Sequence, residues 1–309
     1  MKTVVVIPTI RDLEFLDYWK NEFNNDVYVI VCEDKEKITL SLPKGLNGTI
    51  YSHKEIKKEL GKNDWIFPNH TASIRGFGYF KAWQLKPDMI FTVDDDCYPI
   101  ESDFLKSHWV NLNRKATLDW VTTGTLYTRG FPYNIREKNE VVISHGTWRE
   151  NPDFDAPTQL LEKRPFYTMN RFIPRNNFYP MSGMNLAFKP KITPLLYFGL
   201  QGPDYPFQRF DDIWAGIFSK KILDHFNLAV FSGEPEVRHS KKSNVYDNLI
   251  KEATGIKVNE YLWEKVNEIT LTSNDFSSCY IELLEKLDLD DNYWDKYSDA
   301  IYTWTNLFT

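Results

Sequence analysis

The chain has 309 residues with 42% hydrophobic and 16% aromatic content, which suits one large α/β domain with additions and excludes a disordered or low-complexity chain. Lys plus Arg number 37 against 43 Asp plus Glu, a net charge of −6 with no long basic run, so nucleic acid is not the expected partner. The apolar start Val4-Val5-Val6-Ile7 is too short for a signal-peptide core, no uninterrupted apolar stretch could span a bilayer, and Cys32, Cys97 and Cys279 form no paired spacing. A cytoplasmic protein with reduced thiols and no membrane span is expected.

In chain order, residues 3–10 form a β-branched run that ends near Pro8, the pattern of a buried strand opening into a loop. Leu13 to Phe23 puts Phe15, Leu16, Trp19 and Phe23 on one helical face, and Val27 to Cys32 is a second apolar run closed by Glu33-Asp34. A helix is predicted from about Ala72 to Trp83. The strand Met89 to Val93 that follows it runs directly into Asp94-Asp95-Asp96. This alternation argues for a mostly parallel, doubly wound sheet, in which ligands bind beyond the carboxyl ends of the strands. Pro8-Thr9, Glu33-Asp34 and the acidic triplet are therefore expected to share one cleft.

Trp120 to Tyr127 reads as a further strand. Residues 129–182, rich in Pro, Asn, Arg and aromatics without clean periodicity, read as an insertion that builds a sugar or acceptor pocket. Residues 209–226 are predicted helical, with Asp211-Asp212 in the first turn, where acids suit the helix dipole. Ala229 to Phe231 reads as a strand, the run Arg238-His239-Ser240-Lys241-Lys242 leads into more helix, and an amphipathic helical tail rich in Tyr and Trp begins near residue 274.

Three adjacent carboxylates after a buried strand repel one another unless solvated, protonated or bound to a cation. Mg2+ or Mn2+ takes oxygen ligands and bridges a diphosphate, so the triplet is a candidate metal platform with a solvated turn as the alternative. Asp211 and Asp212 read either as capping acids or as carboxylates that orient or deprotonate sugar hydroxyls. His239, among cations and polar residues, could complete a metal shell. Lys241 and Lys242 fit a solvated face or the neutralisation of a diphosphate equally well. Arg75, Arg129 and Arg136 are candidates for paired hydrogen bonds to phosphate oxygens, with ordinary surface arginine as the alternative.

Taken together, the segments VVVIPTIR (4–11), RGFGY (75–79), DDDC (94–97), RGFPYNIRE (129–137), SHGTW (144–148), DFDAPTQL (153–160), PMSGMNLAF (180–188), RFDDIWAG (209–216) and HSKKSNVYDNL (239–249) resemble the reversibly glycosylated polypeptide family, which includes the UDP-arabinopyranose mutases. The resemblance is collinear over about the first 265 residues, with Ser182 where the family is expected to carry cysteine. It implies a glycosyltransferase-A-like domain over 1–265; residues 266–309, which have no counterpart in the resemblance, read from their own pattern as a helical extension. It also implies a metal-dependent, flavin-independent interconversion of UDP-arabinopyranose and UDP-arabinofuranose, and a homo-oligomer is expected. By the same resemblance Arg129 is the arginine that becomes glycosylated, Arg136 a second arginine needed for activity and Asp94 to Asp96 the metal motif; Asp211 and Asp212, from their own chemistry, are further catalytic candidates. The nucleotide-sugar contacts are expected at Pro8, Thr9, Arg11, Asp34, Arg75, Asp94, Asn185 and Lys241, and the metal ligands at Asp94, Asp95, Asp96 and His239. A transferase that moves the sugar to a separate acceptor or to itself, and a non-catalytic subunit of a mutase hetero-oligomer, are the competing readings.

Overall fold

The structure is a computed structural model that describes residues 1–23, 26–122, 124, 126–240, 243–289 and 291–309. Its strands are β1 (Thr3–Thr9), β2 (Val27–Glu33), β3 (Gly48–Tyr51), β4 (Met89–Val93), β5 (Cys97–Pro99), β6 (Lys115–Ala116), β7 (Asn139–Arg149), β8 (Arg171–Phe172), β9 (Asn185–Phe188) and β10 (Ala229–His239). The helices are α1 (Leu16–Trp19), α2 (His53–Leu60), α3 (Arg75–Gln84), α4 (Phe104–Leu112), α5 (Ala156–Leu161), α6 (Asp211–His225), α7 (Val245–Glu268), α8 (Phe276–Lys286) and α9 (Asn292–Thr305).

The sheet runs β3-β2-β1-β4-β9-β7-β10-β5. β1 pairs in parallel with β2 and β4, β2 with β3, and β7 with β10, while β9 lies antiparallel between β4 and β7. This is the mixed sheet flanked by helices expected of a glycosyltransferase-A-like fold, with an antiparallel strand at its centre.

Strand alternation explains the three layers. Along β1, Val4 and Val6 enter one core with Phe77 of α3, Trp214 and Phe218 of α6 and Tyr280 of α8. Val5 and Ile7 enter the other with Trp19 of α1 and with Phe104 and Leu112 of α4. Trp294, Tyr297 and Trp304 of α9 belong to the first core, where Trp304 stacks against Tyr197 at 5.6 Å and its indole donates to Pro194 O at 2.8 Å. The C-terminal helices thus complete the apolar layer over α3 and α6.

Two expectations change. Trp120 to Tyr127 includes no strand among its described residues. The stretch 129–182, predicted as an insertion, contributes the long strand β7 to the middle of the sheet. The polar residues in the middle of β7 are buried with partners: Ser144 binds His108 Nδ1 at 2.9 Å and Thr147 O accepts from Asn185 Nδ2 at 3.1 Å. No described helix is long and apolar enough to cross a membrane.

Candidate active site

A cleft of about 900 Å3 opens at the carboxyl ends of β1, β2 and β4, bounded on the far side by the first turn of α6 and by α7. Pro8, Thr9, Arg11, Asp34, Arg75, Asp94, Asp95, Asp96, Asp211, Asp212 and His239 all line it. The convergence follows from parallel strands delivering their carboxyl ends to one edge.

Each acid of the triplet has its own neighbours. Asp94 Oδ1 accepts from Arg75 Nη2 at 2.7 Å. Asp95 accepts from the Thr9 hydroxyl at 2.6 Å and pairs with Arg11. Asp96 lies 3.5 Å from Arg11 Nη1 and 3.8 Å from His239 Nε2. Burial, then the charge of Asp94, pushes the Asp96 carboxyl up to about 6. His239 Nδ1 sits 2.7 Å from Asn151 O, which can only accept, so the ring proton is on Nδ1 and the Nε2 lone pair faces the Asp96 carboxylate. An acceptor facing an acceptor calls for a cation or a proton between them, and oxygen with imidazole suits a divalent metal. Among the described residues, however, no group of three or more His, Cys, Asp or Glu side chains is gathered in a metal-holding arrangement. Arg75 and Arg11 hold Asp94 and Asp95 instead.

Arg75 is a brace, 3% exposed. Besides Asp94 it donates to Gly183 O at 2.6 Å and to Ala72 O at 3.2 Å, and its guanidinium lies over the Phe198 ring at 5.3 Å. A Cβ on Gly183 would meet Arg75 Nη1 at 2.6 Å and Phe198 at 2.8 Å, so only glycine permits this approach. The same glycine donates its N–H to Asp212 Oδ2 at 2.9 Å, which links the β4 acids to the α6 acids through Arg75 and one residue.

The sequence reading assigned no role to Asp153, which faces the α6 pair. Ser182 donates to its Oδ2 at 2.6 Å, and burial raises the carboxyl of Asp153 as it does those of Asp211 and Asp212. Arg209 and Glu252 were also missed. Arg209, held in the left-handed region (φ 64°) just before α6, donates to Glu252 Oε1 at 2.9 Å, and Glu252 Oε2 accepts from Ala156 N at 2.7 Å. These contacts fasten α7 and α5 to the cleft. On the opposite wall Asp34 Oδ1 lies 2.6 Å from His53 Nε2 and accepts from His70 N at 3.1 Å.

Four expected residues lie elsewhere and one lies outside the described residues. Glu33 does not line the cleft; it is fully buried and accepts from Thr39 N at 2.8 Å. Asn185 does not line the cleft. It is fully buried in β9, where it donates to Thr147 O and Pro235 O and accepts from His108 Nε2 at 3.0 Å, because its position in the strand turns it toward β7 and α4. Arg129 is exposed and Arg136 half-buried, and neither lines the cleft. Thr117, which donates to Ile135 O, is joined through Leu118 to Arg175 N, and Arg175 Nη1 donates to Asp224 O. The Arg136 neighbourhood is thereby tied to the carboxyl end of α6, about 20 Å along that helix from Asp211 at 1.5 Å per residue. Arg136 sits in an aromatic cage, 3.8 Å from the Tyr133 ring and 4.6 Å from Tyr127, and donates to Phe131 O at 2.8 Å. It holds its own turn together. Lys241 falls outside the described residues.

A mixed sheet whose strand ends gather acids and arginines in one cleft has the layout of a nucleotide-sugar enzyme, and the family model for reversibly glycosylated polypeptides matches residues 2–309, so the chain belongs to that family. The match includes the tail beyond residue 265, where the sequence alone suggested no counterpart. The chain is similar to the probable UDP-arabinopyranose mutase 1 of Pisum sativum, at 37% identity over 97% of this chain and 88% of that protein. It is also similar to UDP-arabinopyranose mutase 1 of Arabidopsis thaliana, at 36% identity over 97% of this chain and 90% of that protein. Among solved structures, glucosyl-3-phosphoglycerate synthase from Mycobacterium tuberculosis is similar over 94% of this chain and 80% of that chain, with 11% identity and a TM-score of 0.42.

Proposed function

We propose that the chain is a UDP-arabinopyranose mutase that interconverts the pyranose and furanose forms of UDP-arabinose in the cytoplasm, as a homo-oligomer and without flavin. The relatives' names support the substrate, and the observation that carries the chemistry is the facing of two acidic groups across the cleft. Asp94 to Asp96 stand at the end of β4, and Asp153, Asp211 and Asp212 stand opposite, with Arg11, Arg75 and Arg209 between and beside them. The three free, buried cysteines fit a reducing compartment.

In the reaction the bond from the anomeric carbon to the diphosphate oxygen breaks, the ring oxygen and another hydroxyl of the same sugar exchange roles at that carbon, and the bond to the diphosphate re-forms. No atom is gained or lost, so neither an acceptor nor an oxidant is needed. Arg11 and Arg75 place positive charge where the diphosphate would lie. Asp153, Asp211 and Asp212, whose carboxyls burial pushes upward, hold and return the hydroxyl proton. Asp96 and His239 would supply ligands to Mn2+ or Mg2+, which when bound neutralises charge on the departing diphosphate. Arg129, to which the family resemblance gives the covalent role, must reach a cleft that it does not line here.

Positional isotope exchange tests the bond cleavage. UDP-arabinose labelled with 18O at the bridging oxygen is incubated without acceptor, and 31P NMR follows the label. Scrambling into the non-bridging β-phosphate positions is expected; an unmoved label, alongside a bound and intact substrate, would overturn the proposal.

A further inference from the structure

Beside the main cleft lies a second cavity of about 510 Å3, within the range of roughly 300–1,000 Å3 typical of small-molecule sites. One side is aromatic. Phe166 packs 6.2 Å from Trp148 and 5.6 Å from Phe154, and Tyr167 stands 74% exposed at the lip. Trp148, at the end of β7, is 9% exposed, and its indole N–H has no hydrogen-bond acceptor among the described residues. The other side is polar: Glu236 of β10 accepts from Arg149 Nε at 3.0 Å and Nη2 at 2.6 Å, and from the Thr168 hydroxyl.

The charges name the class of ligand. Two arginines and two glutamates line this cavity, with Arg149 paired to Glu236 and Arg164 to Glu162 on the rim, so no net positive field is left to draw in a phosphate or carboxylate. Flat apolar faces beside fixed, hydrogen-bonding planes suit a ligand with C–H faces and a hydroxylated edge. Trp148, Pro152 and Phe154 line both cavities, so an occupant here would share a wall with anything in the main cleft.

We propose that this cavity is a second binding site that takes a neutral sugar unit, stacked on the Trp148, Phe154 and Phe166 rings and hydrogen-bonded along the Arg149–Glu236 pair. This goes beyond the mutase reading, since that reaction needs no second sugar.

The test uses the full chain with methyl xylopyranoside and methyl arabinofuranoside as probes, read by saturation-transfer NMR in the presence of excess UDP to fill the main cleft. The expected result is saturable contact that survives UDP and weakens about tenfold in Phe166→Ala and in Glu236→Gln, with circular dichroism and UDP affinity unchanged in both. Loss of contact on adding UDP, displacement by inorganic phosphate, wild-type affinity in both folded variants, or no saturable contact with either glycoside would each overturn the inference. Glycoside binding in a protein that does not bind UDP would count against the mutase reading and leave this site standing.

Discussion

Replacing Arg75 with methionine isolates the brace that joins the two acidic groups. Methionine keeps much of the stem's packing over Phe198 but removes the donors to Asp94 Oδ1 (2.7 Å), Gly183 O (2.6 Å) and Ala72 O (3.2 Å). Breaking a buried charged pair from one side costs about 3–5 kcal/mol. The Asp94 side chain is 29% exposed, so water recovers part of its loss and the lower end, about 3 kcal/mol, is expected. Urea unfolding should record this as a lower midpoint at an unchanged slope. Because the orphaned Asp94 charge is part of the cost, Arg75→Met/Asp94→Asn should lose less than the sum of the two single changes, by about 1–3 kcal/mol. A single-variant loss under about 1 kcal/mol, or strict additivity, would refute the idea that Arg75 is held by these three partners.

Acid should weaken the fold through His108 and His145, which burial keeps neutral, pushing them down from 6.5 to about 4 and about 3. Below 6.5 the unfolded chain takes up protons that the folded chain refuses, so this stability is complete above 6.5 and falls as the pH drops. Between about pH 7.5 and about pH 5.5 each histidine removes about 1.4 kcal/mol, and His108→Gln should lose correspondingly less in urea unfolding over that interval. Asp153→Asn should lower kcat at least tenfold with little change in KM, and a KM effect alone would restrict Asp153 to binding. Asp96→Asn and His239→Ala should each weaken Mn2+ binding, measured by electron paramagnetic resonance of free Mn2+, whereas Thr39→Ala, away from the cleft, should leave it unchanged. Arg129→Ala should abolish turnover with unchanged circular dichroism; full activity would leave the chemistry to the cleft side chains alone.

What the sequence made legible was what repeats at short range. β4 was readable to its ends because five buried residues run straight into the acids, and α6 because Trp214, Ile217, Phe218 and Ile222 mark one stripe. β7 was hidden by its own chemistry: Ser144, His145, Gly146 and Thr147 resemble a loop until Asn185 and His108 arrive from distant segments to satisfy the strand's polar atoms. Asp153 was invisible for a related reason, since one aspartate in a loop becomes a half-buried member of the cleft only when Ser182 and the α6 acids come up beside it. The place of Arg136 outside the cleft was not legible because Tyr127, Phe131 and Tyr133, present in the sequence as a cluster of rings, surround its guanidinium only once the chain is folded. Asn185 turned inward because its place in β9 sets its direction toward β7, a fact that only strand pairing supplies.

This chain is expected to isomerise a UDP-linked pentose without an acceptor, which chromatography of the nucleotide sugars after incubating purified protein with UDP-L-arabinofuranose and Mn2+ would read out. UDP-arabinopyranose should appear as the main product, and its formation should cease on chelation and in the Asp96→Asn variant. Free UDP together with released arabinose, or an unchanged donor in the presence of folded, metal-loaded protein, would contradict the account.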